Sequence, residues 1–194
     1  MSSLRKNLSY QTAYQILSTC VPLITAPYLS RALGAEALGI FSFTNSNVRY
    51  FTLFALLGVA QYGMREIAHV KNEGRAVVSK VFWEIYLFQL FASLIVTITY
   101  LFVCATAYTE YRAIALIQVF ILLSNGLDIS WLYFGLEEFK ITVTRNFFIK
   151  LFTTISYFVF IKKPEDLFLY TLISSVSFVI SSLILWGTLK RYVD

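Results

Sequence analysis

Charge is scarce in this chain of 194 residues: Asp, Glu, Lys and Arg make up 14% of it, against about 25% in an ordinary soluble domain. That density is too low for a solvated surface, so a soluble globular fold is excluded. The sequence has one histidine and two cysteines, too few for the usual His/Cys metal clusters. Cys20 and Cys104 both fall in apolar runs without metal-ligand spacing. They read as small buried hydrophobes, neither a disulfide nor a site. No Gly-rich phosphate loop and no Ser/His/Asp set that could meet is present, so neither enzyme chemistry nor a cofactor is expected. His69 lies beside Arg65, Glu66 and Lys71 and reads as a solvated loop residue, not a proton relay. The net charge is +5, but the basic residues are dispersed between apolar runs instead of forming a patch, so nucleic acid is not an expected partner. The first apolar run is long, contains Pro22 and Pro27 and lacks a small-residue cleavage site, unlike a cleavable signal peptide.

What the chain has in abundance is apolar surface. It is 58% hydrophobic, with 18 Phe and 13 Tyr and a mean hydropathy of +0.68. Aromatic residues at that level suit lipid contact and interfacial belts. A span needs about 20 mostly apolar residues to cross a hydrocarbon core of about 30 Å. Six runs qualify, at roughly 8–29, 38–63, 79–105, 111–134, 143–162 and 167–189. The expectation is an all-α, polytopic membrane helix bundle forming a single membrane domain over 1–194. Orientation follows from Lys and Arg. With the N-terminus in the cytoplasm, that face collects ten of them, Arg5, Lys6, Arg65, Lys71, Arg75, Lys80, Lys140, Arg145, Lys190 and Arg191, and the other face four, Arg31, Arg112, Lys162 and Lys163. Both termini are then cytoplasmic.

Residues three, four and seven apart share a helix face. Five spans carry a polar stripe: Gln11, Gln15 and Ser18; Ser42, Asn45, Arg49 and Thr52; Gln89, Ser93 and Thr97, with Glu84 lower down; Gln118, Asn125 and Asp128; Asn146, Lys150, Thr153 and Tyr157. Lipid cannot solvate such stripes, so they face one another or a water-filled cavity. The pattern favours a hydrated cavity over a purely structural set of interhelical bonds. On the last span Ser174, Ser177 and Ser181 read as small residues for close packing. Pro22 fits a static kink as well as a bending helix.

The embedded charges differ in depth. Arg49 lies near the centre of its span, too deep to snorkel easily, and is the first choice as a functional residue. Asp128 and Lys150 sit at similar depth on consecutive spans, so an ion pair between them is expected. Glu84 is similarly shallow. Amides, hydroxyls and a few charges suit binding of a polyhydroxy or phosphorylated group. Substrate-binding candidates are Arg49, Asn45, Lys150 and Gln15; candidates for ion coupling or ion pairing are Asp128 and Glu84; no metal site is expected.

Three blocks carry a resemblance. The first is Asn7-Leu-Ser-Tyr-Gln-Thr-Ala-Tyr-Gln-Ile-Leu17 with Pro22-Leu-Ile-Thr-Ala-Pro-Tyr-Leu-Ser-Arg-Ala-Leu-Gly-Ala-Glu-Ala-Leu-Gly-Ile-Phe-Ser42. The second is Asp128-Ile-Ser-Trp-Leu-Tyr-Phe-Gly-Leu-Glu-Glu-Phe-Lys140 with Thr144-Arg-Asn146. The third is Tyr62-Gly-Met-Arg-Glu-Ile-Ala68. Together they resemble bacterial polysaccharide flippases of the Wzx type, within the MATE-like superfamily. The resemblance implies movement of a polyprenyl-diphosphate-linked oligosaccharide across the cytoplasmic membrane, for capsule or O-antigen synthesis. Its implied partners are that substrate and membrane lipid. It also implies a cationic central cavity, which Arg49 and Lys150 fit and Arg31 fits less well, and ion coupling that Asp128 or Glu84 would serve. Such proteins usually have about twelve to fourteen spans in two lobes, a layout that places the site between halves. Six spans correspond to one lobe, completed by a missing C-terminal lobe or a second copy. A drug/cation antiporter of the same superfamily and a truncated, non-transporting membrane protein are the alternative readings.

Overall fold

Gly34 divides the longest helical run of the molecule. Helix α1 (Ser2–Leu56) contains this single non-helical residue, at φ 79° and ψ 171°, a conformation essentially restricted to glycine. Nothing lies within 4 Å of where a Cβ would be, so backbone conformation and not space requires glycine there. The computed structural model describes residues 2–56 and 58–194, with side chains described at positions 12, 15 and from 18 onward. The side chain of Gln11 in the first polar stripe, and Leu57 of the second expected span, lie outside what is described.

The remaining elements are α2 (Val59–Val70), α3 (Arg75–Thr106), α4 (Arg112–Ile117), α5 (Val119–Leu127), α6 (Ser130–Gly135), α7 (Phe139–Phe160), a 3₁₀ turn at Pro164–Asp166 and α8 (Leu167–Leu189). Among the described residues the elements are all helices joined by short turns, with no strand. By length and composition, three segments among them are apolar enough to cross a membrane: Arg75–Thr106, Arg112–Gly135 and Pro164–Leu189. Helix α7 is long enough, but carries Lys140, Arg145 and Lys150.

Contacts fix the relative directions of the helices. Ser18 meets Lys150, and Tyr28 meets Ile161, so the first limb of α1 (2–33) runs parallel to α7. Thr44 meets Gln118, and Thr52 meets Asn125, so the second limb (35–56) runs parallel to α4 and α5. Ser182 and Trp186 reach the carbonyls of Ser124 and Leu127, which sets α8 parallel to α5. Thr153 meets Ser177, and Tyr157 meets Ser174, so α7 is antiparallel to α8. The two limbs of α1 therefore run in opposite directions, reversing at Gly34.

Two boundaries differ from expectation. The run expected over 38–63 stops at Leu56, because Gly58 adopts φ 77° and turns the chain. Beyond it α2 has 12 residues, too short to span. Its buried residues Val59, Gly63 and Ile67 pack on α6. A Cβ at Gly63 would stand 2.6 Å from the Trp131 ring, and one at Gly135 would stand 2.7 Å from Ile67 Cβ. The run expected over 111–134 is divided at Gln118 and again at Asp128–Ile129.

The end of the bundle formed by α2, α6 and residues 190–194 holds the largest core, built on Ile67, Phe82, Trp131, Leu132, Tyr133 and Leu185. Three connections tie it together: Lys71–Glu137 at 2.6 Å, Arg75–Asp194 at 2.7 Å and Trp83 Nε1 donating to the Asp194 carbonyl. At the other end Leu29, Leu33, Ala37 and Ile161 pack together. There Asp166 Oδ2 accepts the N–H groups of Lys162 and Lys163.

Candidate functional site

The site builds from the parallel pairing of α1 and α7 with α8 closing one side. A cavity of about 340 Å³ opens between them, lined by Pro22 and Thr25 of α1, Asn146, Lys150, Thr153 and Tyr157 of α7, and Ser174, Ser177 and Ser181 of α8, among others. That volume is within the range of small-ligand sites, about 300–1,000 Å³. Among the described residues Lys150 is the single charged one on its wall, and no carboxylate lines it. Lys150 Nζ donates to the carbonyl and the hydroxyl of Ser18, at 2.9 and 2.8 Å.

The polar stripe of α7 thus faces the serine face of α8. Tyr157 pairs with Ser174 at 2.8 Å and Thr153 with Ser177 at 2.8 Å. These serines were expected to serve close packing. They do bring α8 near, and they also line the cavity. Pro22 belongs to the cavity wall as well.

Asp128 does not pair with Lys150, whose polar contacts are with Ser18. The apolar run around Asp128 suggests the interior of one helix. In the structure Asp128 ends α5 with extended backbone, φ −78° and ψ 111°. Its Oδ1 accepts the Ser130 N–H at 2.8 Å, satisfying one of the free amides that begin α6. The same oxygen lies 4.0 Å from Arg145 Nη1. Four carbonyls at the break also have side-chain partners. Gln89 Nε2 donates to those of Asn125 and Asp128, Trp186 Nε1 to that of Leu127, and Ser182 to that of Ser124.

Arg145 is the residue that sequence reasoning assigned to the basic cytoplasmic face and gave no role. It is buried. It donates to the Ser181 carbonyl at 3.1 Å and, through Nε and Nη2, to Asn146 Oδ1 at 3.0 and 2.8 Å. Its neighbour Asn146 on the α7 stripe, and the family block containing both, were the available signals.

The other candidates are not brought together. Arg49 is exposed on the second limb of α1 and lines neither cavity. Asn45 is half-buried on the same limb, and Gln15 is exposed on the first limb. Ser42, Ser46 and Arg49 form an exposed polar face there. Glu84 is exposed and borders a separate cavity of about 420 Å³ between α2 and α3, with Glu66, Tyr62 and Phe88. Among the described residues no group of three or more His, Cys, Asp or Glu could hold a metal ion.

A protein of Escherichia coli (strain K12) named "Putative O-antigen transporter" is 28% identical over 185 residues, covering 94% of this chain and 44% of that protein. The chain thus spans less than half the length of this curated relative. No solved structure matches. The family described as polysaccharide biosynthesis protein matches residues 4–193. With nearly the whole chain inside that match, and with apolar helices enclosing a polar cavity, this protein is a multi-pass membrane member of the polysaccharide biosynthesis protein family.

Proposed function

We propose that this chain is one lobe of a flippase that carries polyprenyl-diphosphate-linked oligosaccharide repeat units across the bacterial cytoplasmic membrane. The observation that carries the reading is the cavity between α1, α7 and α8, where a lysine and a row of hydroxyls face an open cleft within a bundle of apolar helices. Cationic and hydroxyl groups in such a setting suit a phosphorylated, polyhydroxylated cargo. The family match and the O-antigen transport named for the relative support the same cargo class.

The helix directions support six alternating crossings, made by the two limbs of α1, α3, α4–α6, α7 and α8. The basic residues then favour cytoplasmic termini. Reporters near Asn72 and after Asp194 are expected on the cytoplasmic side, and reporters near Ala35 and Tyr108 outside. Asn72 and Ala35 on one side would refute six crossings. The exposed polar face of Ser42, Ser46 and Arg49 is unsuited to lipid. Together with the coverage of the relative, it supports a second lobe covering that face.

The deciding experiment is export by the full-length transporter in cells lacking their own exporter. Lys150→Ala is expected to abolish surface polysaccharide at unchanged membrane level, and Lys150→Arg to retain part of it. Normal export by Lys150→Ala overturns the reading of the cavity as the transport site.

A further inference from the structure

The cleft between α2 and α3, about 420 Å³ in volume, sorts its charges. Its wall is mostly apolar, with Ile85 and the rings of Tyr62 and Phe88. The charged groups on that wall, among the described residues, are two carboxylates, those of Glu66 and Glu84. Glu84 forms no hydrogen bond or ion pair among the described residues. Lys80, one turn before it on α3, is exposed and makes no ion pair with it. Glu66 has one partner, Arg65, whose Nη2 stands 3.3 Å from Glu66 Oε1. Arg65 is exposed and off the cleft wall, with its guanidinium 5.7 Å from the centre of the Tyr62 ring. Negative charge thus lies inside the cleft and positive charge at its rim.

The surroundings place this cleft at the depth of lipid headgroups. Trp83, next to Glu84, is partly exposed, and indoles of this kind mark the boundary between membrane and water. From there α3 continues with Leu87, Phe88, Leu90 and Phe91 exposed, a surface suited to acyl chains. Helix α2 is too short to span and exposes Tyr62 and Met64 beside Arg65. A carboxylate without a partner at the edge of an apolar band is costly. The cation that balances Glu84 therefore comes from outside this chain. Because the exposed surface leading away from the cleft is apolar, the source of that cation is amphipathic.

We infer that the cleft between α2 and α3 holds the headgroup of a membrane phospholipid with a primary amine, a phosphatidylethanolamine. Its ammonium donates to Glu84 and Glu66, its phosphate meets Arg65, and an acyl chain runs along Phe88 and Phe91. The lipid belongs to the surrounding membrane and is not cargo, and its leaflet is the cytoplasmic one under the crossings proposed above. A primary ammonium brings three N–H donors to the carboxylates, and a charge-assisted hydrogen bond to each is the strong kind. A trimethylammonium headgroup has the charge and no N–H. A glycerol headgroup leaves the phosphate charge unbalanced against two carboxylates. The arrangement therefore ranks the three headgroups.

The test is native mass spectrometry of this chain in detergent, titrated with phosphatidylethanolamine, its N,N-dimethyl derivative, phosphatidylcholine and phosphatidylglycerol of identical acyl chains. Phosphatidylethanolamine is expected to bind at least about tenfold more tightly than phosphatidylcholine or phosphatidylglycerol, the range one charge-assisted hydrogen bond supplies. The dimethyl lipid is expected to fall between. Glu66→Gln with Glu84→Gln keeps size and polarity, and is expected to weaken phosphatidylethanolamine about tenfold while leaving phosphatidylcholine unchanged. Glu84→Lys is expected to turn the preference toward phosphatidylglycerol. Arg65→Gln is expected to weaken all four lipids by a similar factor and keep their order. Glu73→Gln, in the turn before α3 and off the cleft wall, is expected to change nothing. Phosphatidylglycerol or phosphatidylcholine bound as tightly as phosphatidylethanolamine overturns the inference. So does a preference for phosphatidylethanolamine that survives the double Gln variant. Should the variants fold poorly, the N-methylation series on the unaltered chain decides alone, and equal affinity along it overturns the inference. The transport reading is tested separately by Lys150→Ala, and either can fail without the other.

Discussion

The α3–α5 contact and the α1–α7–α8 contact begin from the same sequence pattern and end differently. Each brings together polar side chains at helical spacing on otherwise apolar rods. Between α3 and the α4–α5 stretch three of these groups meet main-chain carbonyls across the contact, Gln89 those of Asn125 and Asp128, Ser93 that of Leu122 and Tyr100 that of Ala115, while Thr97 donates to the Ser93 carbonyl of its own helix. Those residues are buried. Between α7 and α8 Thr153 and Tyr157 meet serine side chains, and a cavity stays open. The lesson concerns partners. A polar stripe closes up when the facing helix is broken or thin enough to offer carbonyls, as α5 does at Asp128 and Gly126. It stays open when the facing helix is regular and its carbonyls are already occupied.

The largest expected effect breaks the closed region. A Cβ at Gly126 would stand 2.8 Å from Ser93 Oγ and 3.1 Å from Ser93 Cβ. Gly126→Leu must push α3 away and detach Ser93 from Leu122, at a cost of about 3 kcal/mol, the upper range for overpacking. Thermal unfolding in detergent and membrane yield would measure it. An unchanged midpoint would show that the contact is looser than described. Gln89→Leu is the next largest. It leaves the Trp131 indole N–H and two carbonyls without their partner. Interhelical bonds in membranes average about 0.6 kcal/mol each, so a loss of about 2 kcal/mol is expected. In the open region Thr154→Val is expected to change stability by less than about 0.5 kcal/mol.

A smaller effect sharpens the comparison through the charges at the seam. Asp128 and Arg145 touch, and Lys150 is engaged with Ser18. A double-mutant cycle of Asp128→Asn with Arg145→Gln is expected to show coupling of about 1 kcal/mol, the scale of neighbouring residues in one network. The cycle of Asp128→Asn with Lys150→Gln is expected to be additive within about 0.5 kcal/mol. Coupling in the second cycle and none in the first would restore the pairing that depth alone suggested.

How much of this was legible follows from the kind of information each feature needs. Apolar runs place helices well, since burial in lipid depends on length and composition: the run expected over 167–189 coincides with α8 (Leu167–Leu189). Breaks were harder. Asp128–Ile129 interrupts a run that stays apolar on both sides, and neither residue is a helix breaker by type. Gly58 was the readable signal for the end of the second limb. Partner choice was least legible, because depth along a span is in the sequence and azimuth around it is not. Asp128 and Lys150 match in depth and face different neighbours. Arg145 lies near a span end, where a long side chain can reach the interface, yet it turns inward because Asn146, Ser181 and Asp128 offer it four acceptor contacts.

The smallest expected effect on stability belongs to Arg49, and it carries the largest consequence for architecture. Arg49 is exposed, and among the described residues it forms no hydrogen bond or ion pair. Arg49→Ala should therefore alter the stability of this chain by no more than about 0.5 kcal/mol, as for a surface site without special contacts. Yet under the proposed six crossings a guanidinium at the middle of one is not a surface group in lipid, where even insertion scales assign it about 2.5–3.5 kcal/mol. The two statements are compatible if a second lobe covers the face of Ser42, Ser46 and Arg49 in the full-length transporter. There Arg49→Ala is expected to lower export strongly at normal membrane level. Arg49→Lys keeps the charge, loses the planar fork, and is expected to export in part. The measurement is surface polysaccharide per inserted transporter, with stability of the short chain measured alongside. Full export by Arg49→Ala would remove Arg49 from the transport path. A large loss of stability in the short chain would mean that Arg49 already has a structural partner within this lobe.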